Sequence, residues 1–150
     1  MNGQFEERAY GRILLFQGGP YRQRTPGSYG IKLATEISAP YDANVPCKDF
    51  QPFRRDDLEA AVEAAIKAAM TGKTVYAGCM GGIGRTGTFL ACVMKVFHPD
   101  HEPVAMVRKR YYSHAVETDK QLALIVDFNP QPIRRKLFWW AVKAWFRQPL

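Results

Sequence analysis

The sequence predicts a single α/β domain whose central, mostly parallel sheet is flanked by helices. Short apolar runs of strand length alternate with longer segments in which apolar residues recur at helical spacing. The chain of 150 residues has the usual size of one domain, and no repeat or linker divides it. Residues 74–90 carry the strongest signal, because an apolar strand, a glycine-rich turn and a helix follow one another directly.

The first third of the chain predicts two strands and a long loop. Residues 12–17 are apolar and are followed by Gly-Gly-Pro, so a buried strand is expected to end there. Residues 21–30 are rich in turn formers and basic side chains. Residues 31–38 predict a second strand that stops before Pro40, and the proline- and aspartate-containing residues 39–55 predict an exposed loop.

The following residues predict the central strand and most of the helices. A helix is expected over residues 56–70, with Asp56 as its N-cap and Gly72 directly after its end. Residues 74–78 predict the central strand. Three later segments keep helical spacing, namely residues 86–97, 104–112 and 118–128. The first of these is apolar on nearly all sides, which predicts a helix buried in the core.

Charge and cysteine content limit the classes of function. Five of the seven excess positive charges lie in residues 131–150, so a general nucleic-acid-binding surface is not favoured. Cys47, Cys79 and Cys92 lack the spacing of a zinc site or of a disulfide framework. The N-terminal residues have no apolar signal core, and no apolar run reaches the roughly 20 residues of a membrane span. We therefore expect a cytoplasmic protein.

The turn after the central strand has the composition of an anion-binding loop that contains a nucleophile. Its glycines allow close backbone approach, so successive N–H groups and the N-terminus of the following helix can point at one anion. Arg85 adds a planar fork that can bind two phosphate oxygens. The same field favours the thiolate form of Cys79. The pattern indicates transfer of a phosphoryl group to sulfur.

Two other interpretations of this turn fit less well. An ordinary strand-to-helix turn with a buried cysteine does not require this combination of glycines with Arg85 and Thr86. A nucleotide-binding loop of the form G-x-x-x-x-G-K-[ST] would place its first glycine at Cys79 and its lysine at Arg85. Both required positions differ, so a nucleoside triphosphatase is not expected.

Three segments resemble the cysteine-dependent protein tyrosine phosphatase superfamily, especially its dual-specificity branch. Residues 79–87, Cys-Met-Gly-Gly-Ile-Gly-Arg-Thr-Gly, resemble the signature loop. Residues 48–52, Lys-Asp-Phe-Gln-Pro, resemble the acid loop, and residues 115–121 resemble the glutamine-bearing segment that follows the signature. The resemblance covers roughly residues 12–128. It implies the phosphatase fold, with a phosphatase domain over residues 1–130.

The resemblance also assigns roles to individual residues. Cys79 is the expected nucleophile, Arg85 binds the phosphate dianion, and the Thr86 hydroxyl donates to the sulfur. Asp49, 30 residues before the cysteine, is the expected general acid, with Asp42 as its rival in the same loop. The expected substrate-binding positions are the remaining loop residues Met80, Gly81, Gly82, Ile83 and Gly84.

Two positions leave alternatives open. Gln121, or instead Glu117, is expected to position the hydrolytic water, although a polar helix surface explains either residue equally well. The family usually has histidine directly before the cysteine, where this chain has Gly78. Because that histidine helps to orient the loop, the resemblance predicts the type of reaction but not its rate.

The expected function is hydrolysis of phosphate monoesters through a cysteinyl-phosphate intermediate. Phosphotyrosine, phosphoserine and phosphothreonine proteins are the favoured substrates, in a shallow site of dual specificity. The alternatives are a non-protein substrate (a nucleotide, an RNA 5′-phosphate or a phosphoinositide) and a phosphate-binding pseudophosphatase that does not turn over. The absence of lysine from positions 80–83 argues mildly against highly charged inositol phosphates.

No cofactor and no metal are expected. His98, His101 and His114 have no ligand spacing with the cysteines. Cys92 is expected to be a small buried hydrophobe in the core helix. Cys47 lies two residues from Asp49, and one hypothesis is that it forms a protective disulfide with Cys79 under oxidation.

The C-terminal segment, residues 131–150, predicts a basic aromatic helix. Its cations and aromatic side chains separate on a helical wheel of residues 133–147. Packing of the aromatics onto the same domain is the favoured interpretation, because aromatic residues at helical spacing usually belong to a core. Docking on a membrane surface or on a partner is the alternative.

Overall fold

A single sheet forms the centre of the computed structural model, which describes residues 3–147. Over these residues it has five strands: β1 (Gly3–Ala9), β2 (Arg12–Pro20), β3 (Tyr29–Lys32), β4 (Ala43–Asn44) and β5 (Val75–Cys79). Their order is β1-β2-β5-β3-β4. β1 is antiparallel to β2, and all other neighbours are parallel. The fold class predicted from the sequence is confirmed.

Helices cover the sheet and position its central strand. Over the described residues they are α1 (Arg55–Met70), α2 (Gly84–Phe97), α3 (Pro103–Arg110), α4 (Asp119–Asp127) and α5 (Gln131–Phe146), with a short 3₁₀ turn at Tyr21–Gln23. α1 packs against β2, β3 and α5, while α2 packs against β5, α3 and α4. None of these helices is long and apolar enough to cross a bilayer.

β5 and α2 form the centre of the core, as predicted. Every residue of β5 is buried, and α2 is buried on nearly all sides because its sequence is almost entirely apolar. β5 ends at Cys79 and α2 begins at Gly84, so four residues connect the carboxyl end of a parallel strand to the start of a helix. Ligands of open α/β sheets bind at this edge.

The strands differ from the prediction where tertiary contacts override the local pattern. β1 was not predicted, because its inward-facing positions are Phe5 and the carboxylate Glu7 and so form no apolar pattern. Glu7 is buried, with His98 Nε2 at 2.7 Å and Arg110 Nη1 at 2.5 Å from its carboxylate oxygens. β2 continues to Pro20 instead of ending at residue 17, since its pairing with β5 extends to Cys79.

The predicted strand over residues 31–38 is much shorter. β3 ends at Lys32, whose ammonium group donates to the carbonyls of Ala34 and Ile37 and so stabilises the turn that follows. β4 lies within the predicted loop and has only two residues, too few for a periodic signal.

Helix ends were predicted with mixed success. Asp56 is not the N-cap of α1, because that position is Arg54 and no side chain caps the helix there. Asp56 lies in the first turn, where its charge favours the positive end of the helix dipole. Gly72 follows the helix with a φ of +92°, as predicted.

α5 packs against α1 and α2, where Ile133 and Leu137 are buried. The boundary of the phosphatase domain at residue 130 stays a prediction. Residues 148–150 of the predicted C-terminal segment lie outside the described residues.

Gly78 has no room for a side chain. A Cβ atom at this position would lie 2.6 Å from Tyr21 Cα and 2.8 Å from the Gly19 carbonyl oxygen. Both atoms belong to the backbone, Gly19 in β2 and Tyr21 in the 3₁₀ turn directly after it, so neither can move away cheaply. Histidine, which the resembled phosphatase family usually carries here, does not fit beside this backbone.

We predict that Gly78→Ala lowers the free energy of unfolding by about 2 kcal/mol through overpacking. Gly81→Ala is the matched control, because a Cβ there meets nothing within 4 Å. Urea denaturation of both variants measures the difference. Equal stability of the two variants would contradict the close approach at Gly78.

Candidate active site

The sulfur of Cys79 lies at the base of the loop that joins β5 to α2. It accepts hydrogen bonds from the Thr86 hydroxyl at 3.0 Å and from the Gly82 N–H at 3.2 Å. The Cys79 N–H in turn donates to Thr86 Oγ1 at 2.9 Å. Two hydrogen-bond donors therefore converge on one buried sulfur, the atom that the sequence predicts as the nucleophile.

The loop itself is fixed from two sides. Gly82 has a φ of +76°, and a Cβ there would lie 2.6 Å from the Gly19 backbone, so both its conformation and its surroundings require glycine. Its carbonyl accepts a hydrogen bond from the Tyr111 hydroxyl at 2.6 Å. The Tyr111 ring reaches this carbonyl by passing over β1 and β2 at Gly3 and Gly18, where any side chain would collide with it.

Arg85 lies in the first turn of α2 and is almost completely buried. Its Nη1 donates to Glu36 Oε1 and to the Cys47 carbonyl, both at 2.8 Å, and its Nη2 donates to Glu36 Oε2 at 2.6 Å. Its Nε has no hydrogen-bond partner among the described residues. A buried guanidinium donor without a partner is expected where an anionic ligand completes the arrangement.

Glu36 is a site residue that the sequence did not reveal. It forms a two-pronged ion pair with Arg85, and the hydrogen bond from that guanidinium lowers the pKa of Glu36 to about 2. A buried arginine indicates that some carboxylate must pair with it. Nothing in residues 31–38, predicted as a strand, distinguishes Glu36 for this role.

The structure brings Asp49 to the site and leaves Asp42 outside it. Asp49 Oδ1 lies 3.6 Å from Arg85 Nη2 and accepts the Phe50 N–H, and its side chain is half exposed. Phe50 has a φ of +61°, in the left-handed region. Asp42 instead pairs with Arg24 at 2.9 Å and accepts the Gly30 N–H at 2.7 Å, which are structural contacts.

Gln121 and Glu117 both reach the loop at Gly84. A Cβ on Gly84 would lie 2.4 Å from Glu117 Oε1 and 3.1 Å from Gln121 Nε2. Gln121 also completes the capping box of α4, since its Oε1 accepts the N–H groups of Glu117 and Thr118. Its buried Nε2 has no partner within the described part of the chain. The roles of both residues in positioning water stay predictions.

The remaining loop positions differ in exposure. Met80 and Gly81 are exposed, Ile83 is half-buried, and Gly82 and Gly84 are buried. The Ile83 carbonyl accepts the Gly87 N–H at 2.9 Å, so the loop leads directly into the hydrogen-bonded turns of α2. The side chains nearest the sulfur in sequence are therefore apolar or absent, and the polar groups that residues 80–84 offer are those of the backbone. Their role in substrate binding stays a prediction.

The other two cysteines are buried thiols. Cys92 lies in the core helix, as predicted, and burial raises its pKa to about 12. Burial also raises the pKa of Cys47 to about 11. Because thiol–disulfide exchange needs a thiolate, this shift opposes the hypothesis of a protective Cys47–Cys79 disulfide. Over residues 3–147 no group of three or more histidine, cysteine or acidic side chains has the arrangement of a metal site.

Comparison with solved structures shows the same fold in two phosphatases. Tk-PTP in its active form matches with a TM-score of 0.62 at 20% identity, covering 81% of this chain and 91% of that one. PTPMT1 in complex with PI(5)P matches with a TM-score of 0.63 at 16% identity, covering 81% and 93%.

Sequence comparison finds relatives in Methanocaldococcus jannaschii. Its uncharacterized proteins MJ0215 and MJECL20 are 33% and 31% identical over 84 residues, which is 56% of this chain in both cases. The matches cover 52% and 56% of those proteins, so the chain spans about half the length of the curated relatives it matches.

A family model covers most of the chain. The model of the DSP-PTPase phosphatase domain of Swiss Army Knife proteins matches residues 31–136, which include Glu36, Asp49, the Cys79 loop and Gln121. The chain therefore belongs to this family of phosphatase domains, within the cysteine-dependent protein tyrosine phosphatase superfamily.

Proposed function

We propose that this phosphatase domain hydrolyses phosphate monoesters of proteins through a cysteinyl-phosphate intermediate, with dual specificity. The observation that carries the proposal is the arrangement around one sulfur. Cys79 Sγ has two hydrogen-bond donors within 3.2 Å, at the base of a loop whose Arg85 keeps an unused Nε donor. A cytoplasmic location remains a prediction from the sequence.

Binding would use the backbone of the loop together with Arg85. The N–H groups of residues 80–84 and the N-terminus of α2 supply partial positive charge, and the guanidinium supplies a full charge. Glu36 and the Cys47 carbonyl hold that guanidinium in place, so little reorganisation is needed when the phosphate arrives.

In the first step, Cys79 attacks phosphorus in line with the leaving oxygen. The P–S bond forms as the P–O bond breaks, and Asp49 transfers its proton to the departing alkoxide or phenolate. Its half-exposed position, 3.6 Å from Arg85, suits a group that meets the leaving oxygen at the edge of the site.

In the second step, water attacks the phosphorus and the P–S bond breaks. Asp49, now a carboxylate, accepts a proton from the water, and inorganic phosphate is released. The departing thiolate regains the hydrogen bonds of Thr86 and Gly82, which lower the barrier for its departure. Gln121 and Glu117 beside Gly84 are the candidates for orienting this water.

The charges around the loop support a protein substrate over a phosphoinositide. Glu36 and Asp49 lie beside Arg85, Glu117 lies beside Gly84, and residues 80–84 include no cation. Additional phosphates on one ligand would meet these carboxylates and be repelled. PTPMT1, whose structure holds PI(5)P, matches this chain at only 16% identity. Exposed Met80 and Phe50 offer apolar contact to a phenyl ring or a peptide.

A phosphate-binding pseudophosphatase is the second candidate, and Gly78 is the feature that favours it. Without the usual histidine, such a loop would lack one of its supports. Here the Tyr111 hydroxyl supports the loop from the Gly82 carbonyl, and the hydrogen bonds on the sulfur are intact. These contacts favour the active enzyme.

We predict that Cys79→Ser lowers the rate of aryl-phosphate hydrolysis by at least about 10³-fold, because serine replaces the only nucleophile in the loop. Mass spectrometry of wild-type enzyme quenched during turnover should find phosphate on the Cys79 peptide. Cys92→Ala is the thiol control and should retain most activity. Undiminished turnover by Cys79→Ser would exclude the cysteinyl-phosphate mechanism.

Glu36→Gln should lower kcat/KM by about tenfold or more, because the Arg85 guanidinium loses the carboxylate charge that holds it in place. A pKa of about 2 keeps Glu36 ionised from neutral pH down to about pH 4. Its protonation would remove the ion pair only as the pH falls towards 2. The ratio of wild-type to variant activity should therefore be constant between pH 4 and 8, and convergence near pH 5 would contradict this assignment.

Asp42→Asn provides the matched control for Glu36→Gln. It also removes a carboxylate from an ion pair with arginine, but that pair involves Arg24 and lies outside the site. We expect its kcat/KM to stay within about twofold of the wild type, as for substitutions away from the reacting groups.

Tyr111→Phe should lower kcat by about tenfold and the free energy of unfolding by about 1 kcal/mol, since the Gly82 carbonyl loses its buried donor. Burial raises the pKa of Tyr111, so its hydroxyl remains a donor at any working pH. Steady-state kinetics should show the loss in kcat more than in KM. Tyr112→Phe is the control, and an equal effect there would exclude a specific role for the Tyr111 hydroxyl.

A further inference from the structure

α5 carries a row of aromatic side chains on the side that does not contact the domain. Phe138, Trp139, Trp145 and Phe146 are 46%, 61%, 67% and 74% exposed. With Val142, these side chains fall within about 120° of the helix circumference at about 100° per residue. The buried side chains of α5 lie on the opposite side. The predicted packing of the aromatics onto the domain thus holds for only part of the helix.

The exposed row extends beyond α5 to the turn between β1 and β2. Tyr10 in that turn is 58% exposed and lies edge-on to Phe138, with 6.0 Å between ring centroids. Tyr10, Phe138 and Trp145 line a shallow cavity of about 240 Å³. We call Tyr10, Phe138, Trp139, Trp145 and Phe146 the aromatic face. Continuous apolar surface of this kind marks an interaction site in most soluble proteins.

A strongly basic cleft lies beside the aromatic face. Arg12, Lys67, Lys143 and Arg147 line a cavity of about 420 Å³ together with Trp140 and Met70, and no carboxylate is among its described lining residues. Arg12 is held there by a hydrogen bond from Nη1 to the Met70 carbonyl. Cations near the C-terminus of a helix are common because they favour the dipole. The helix dipole alone does not explain why four cations line one cleft.

The charge of α5 argues against a second copy of this chain as the occupant. Residues 131–147 contain five cations and no acidic residue. Two such helices brought together at a symmetric interface would repel each other. Two of the cations have partners within the domain, since Arg134 donates to the Val96 carbonyl and Lys136 pairs with Glu63. Lys143 and Arg147 instead line the basic cleft.

We propose that the aromatic face and the basic cleft dock this domain on the surface of an anionic phospholipid bilayer. Tryptophan, tyrosine and phenylalanine side chains enter the boundary between headgroups and acyl chains, and lysine and arginine bind the lipid phosphates beside them. The cleft accommodates one phosphate headgroup next to Trp140. The helix lies on the membrane and does not span it.

The topology fixes how the docked domain is oriented. Met70 and Thr71, at the end of α1, line the basic cleft and precede the amino end of β5. Cys79 lies at the carboxyl end of β5, about 13 Å further along the strand at about 3.3 Å per residue. A bilayer at the cleft therefore leaves the catalytic loop facing the aqueous phase, where it meets phosphoproteins rather than lipids of the same bilayer.

Vesicle sedimentation with the full chain tests the docking. We expect about tenfold or more binding to vesicles with about a third phosphatidylserine over phosphatidylcholine alone, weakened by high salt. Lys143→Glu with Arg147→Glu, and separately Trp145→Ser with Phe146→Ser, should each lower binding about tenfold or more. Lys109→Glu with Lys120→Glu, exposed cations outside this surface, is the charge-matched control and should bind like the wild type.

Aryl-phosphate hydrolysis separates this proposal from the proposed function. The two docking variants should keep the activity of the wild type, which also shows that they are folded. Equal binding to neutral and anionic vesicles, or equal loss in the control, would overturn the proposal. So would binding of inorganic phosphate in the cleft without vesicle binding, or dimerisation through α5 without vesicle binding.

Discussion

Arg85 carries its charge inside the protein, and two segments distant from it in sequence meet around it. Burying an unpaired guanidinium costs several kcal/mol, so the fold has to supply partners. Glu36, just after β3, supplies both carboxylate oxygens, and the Cys47 carbonyl supplies a third acceptor. These contacts hold the chain before Asp49 against the start of α2. The arginine thereby determines where the Asp49 loop lies, and in the proposed mechanism it also binds the phosphate.

The sulfur depends on a second constraint, the shape of the loop behind it. Gly82, whose N–H donates to Cys79, has a left-handed conformation, and the Tyr111 hydroxyl donates to its carbonyl on the other side of the residue. This contact comes from the end of α3, while the family's usual support, histidine, would come from the strand. The strand cannot provide it here, because the backbone of Tyr21 occupies the space next to Gly78.

The sequence was sufficient wherever the site is made of contiguous residues. The strand, the loop and α2 follow one another, so Cys79, Arg85 and Thr86 were predictable from composition and spacing. Glu36 and Tyr111 were not, because each acts through one long-range contact and lies in a segment without a distinctive pattern. β1 was missed for a related reason: its inward position Glu7 pairs with Arg110 and contacts His98, which lie about 90 to 100 residues away. Charge compensation between distant segments leaves no local periodicity to detect.

Charge is distributed unequally between the two ends of the sheet, and this bears on how the domain selects ligands. At the carboxyl end, Glu36 and Asp49 lie beside the buried Arg85, Glu117 lies beside Gly84, and Lys32 is a second buried cation that acts on Glu36. Under the proposed function, this arrangement favours one phosphate on an otherwise weakly charged group. At the amino end, four cations line one cleft without a described carboxylate. An anionic surface would attract the second end and repel the first, so it would orient the domain before contact. In the proposed mechanism the Cys79 loop binds its dianion through backbone N–H groups and one guanidinium rather than through surface lysines, so binding would not compete with that surface.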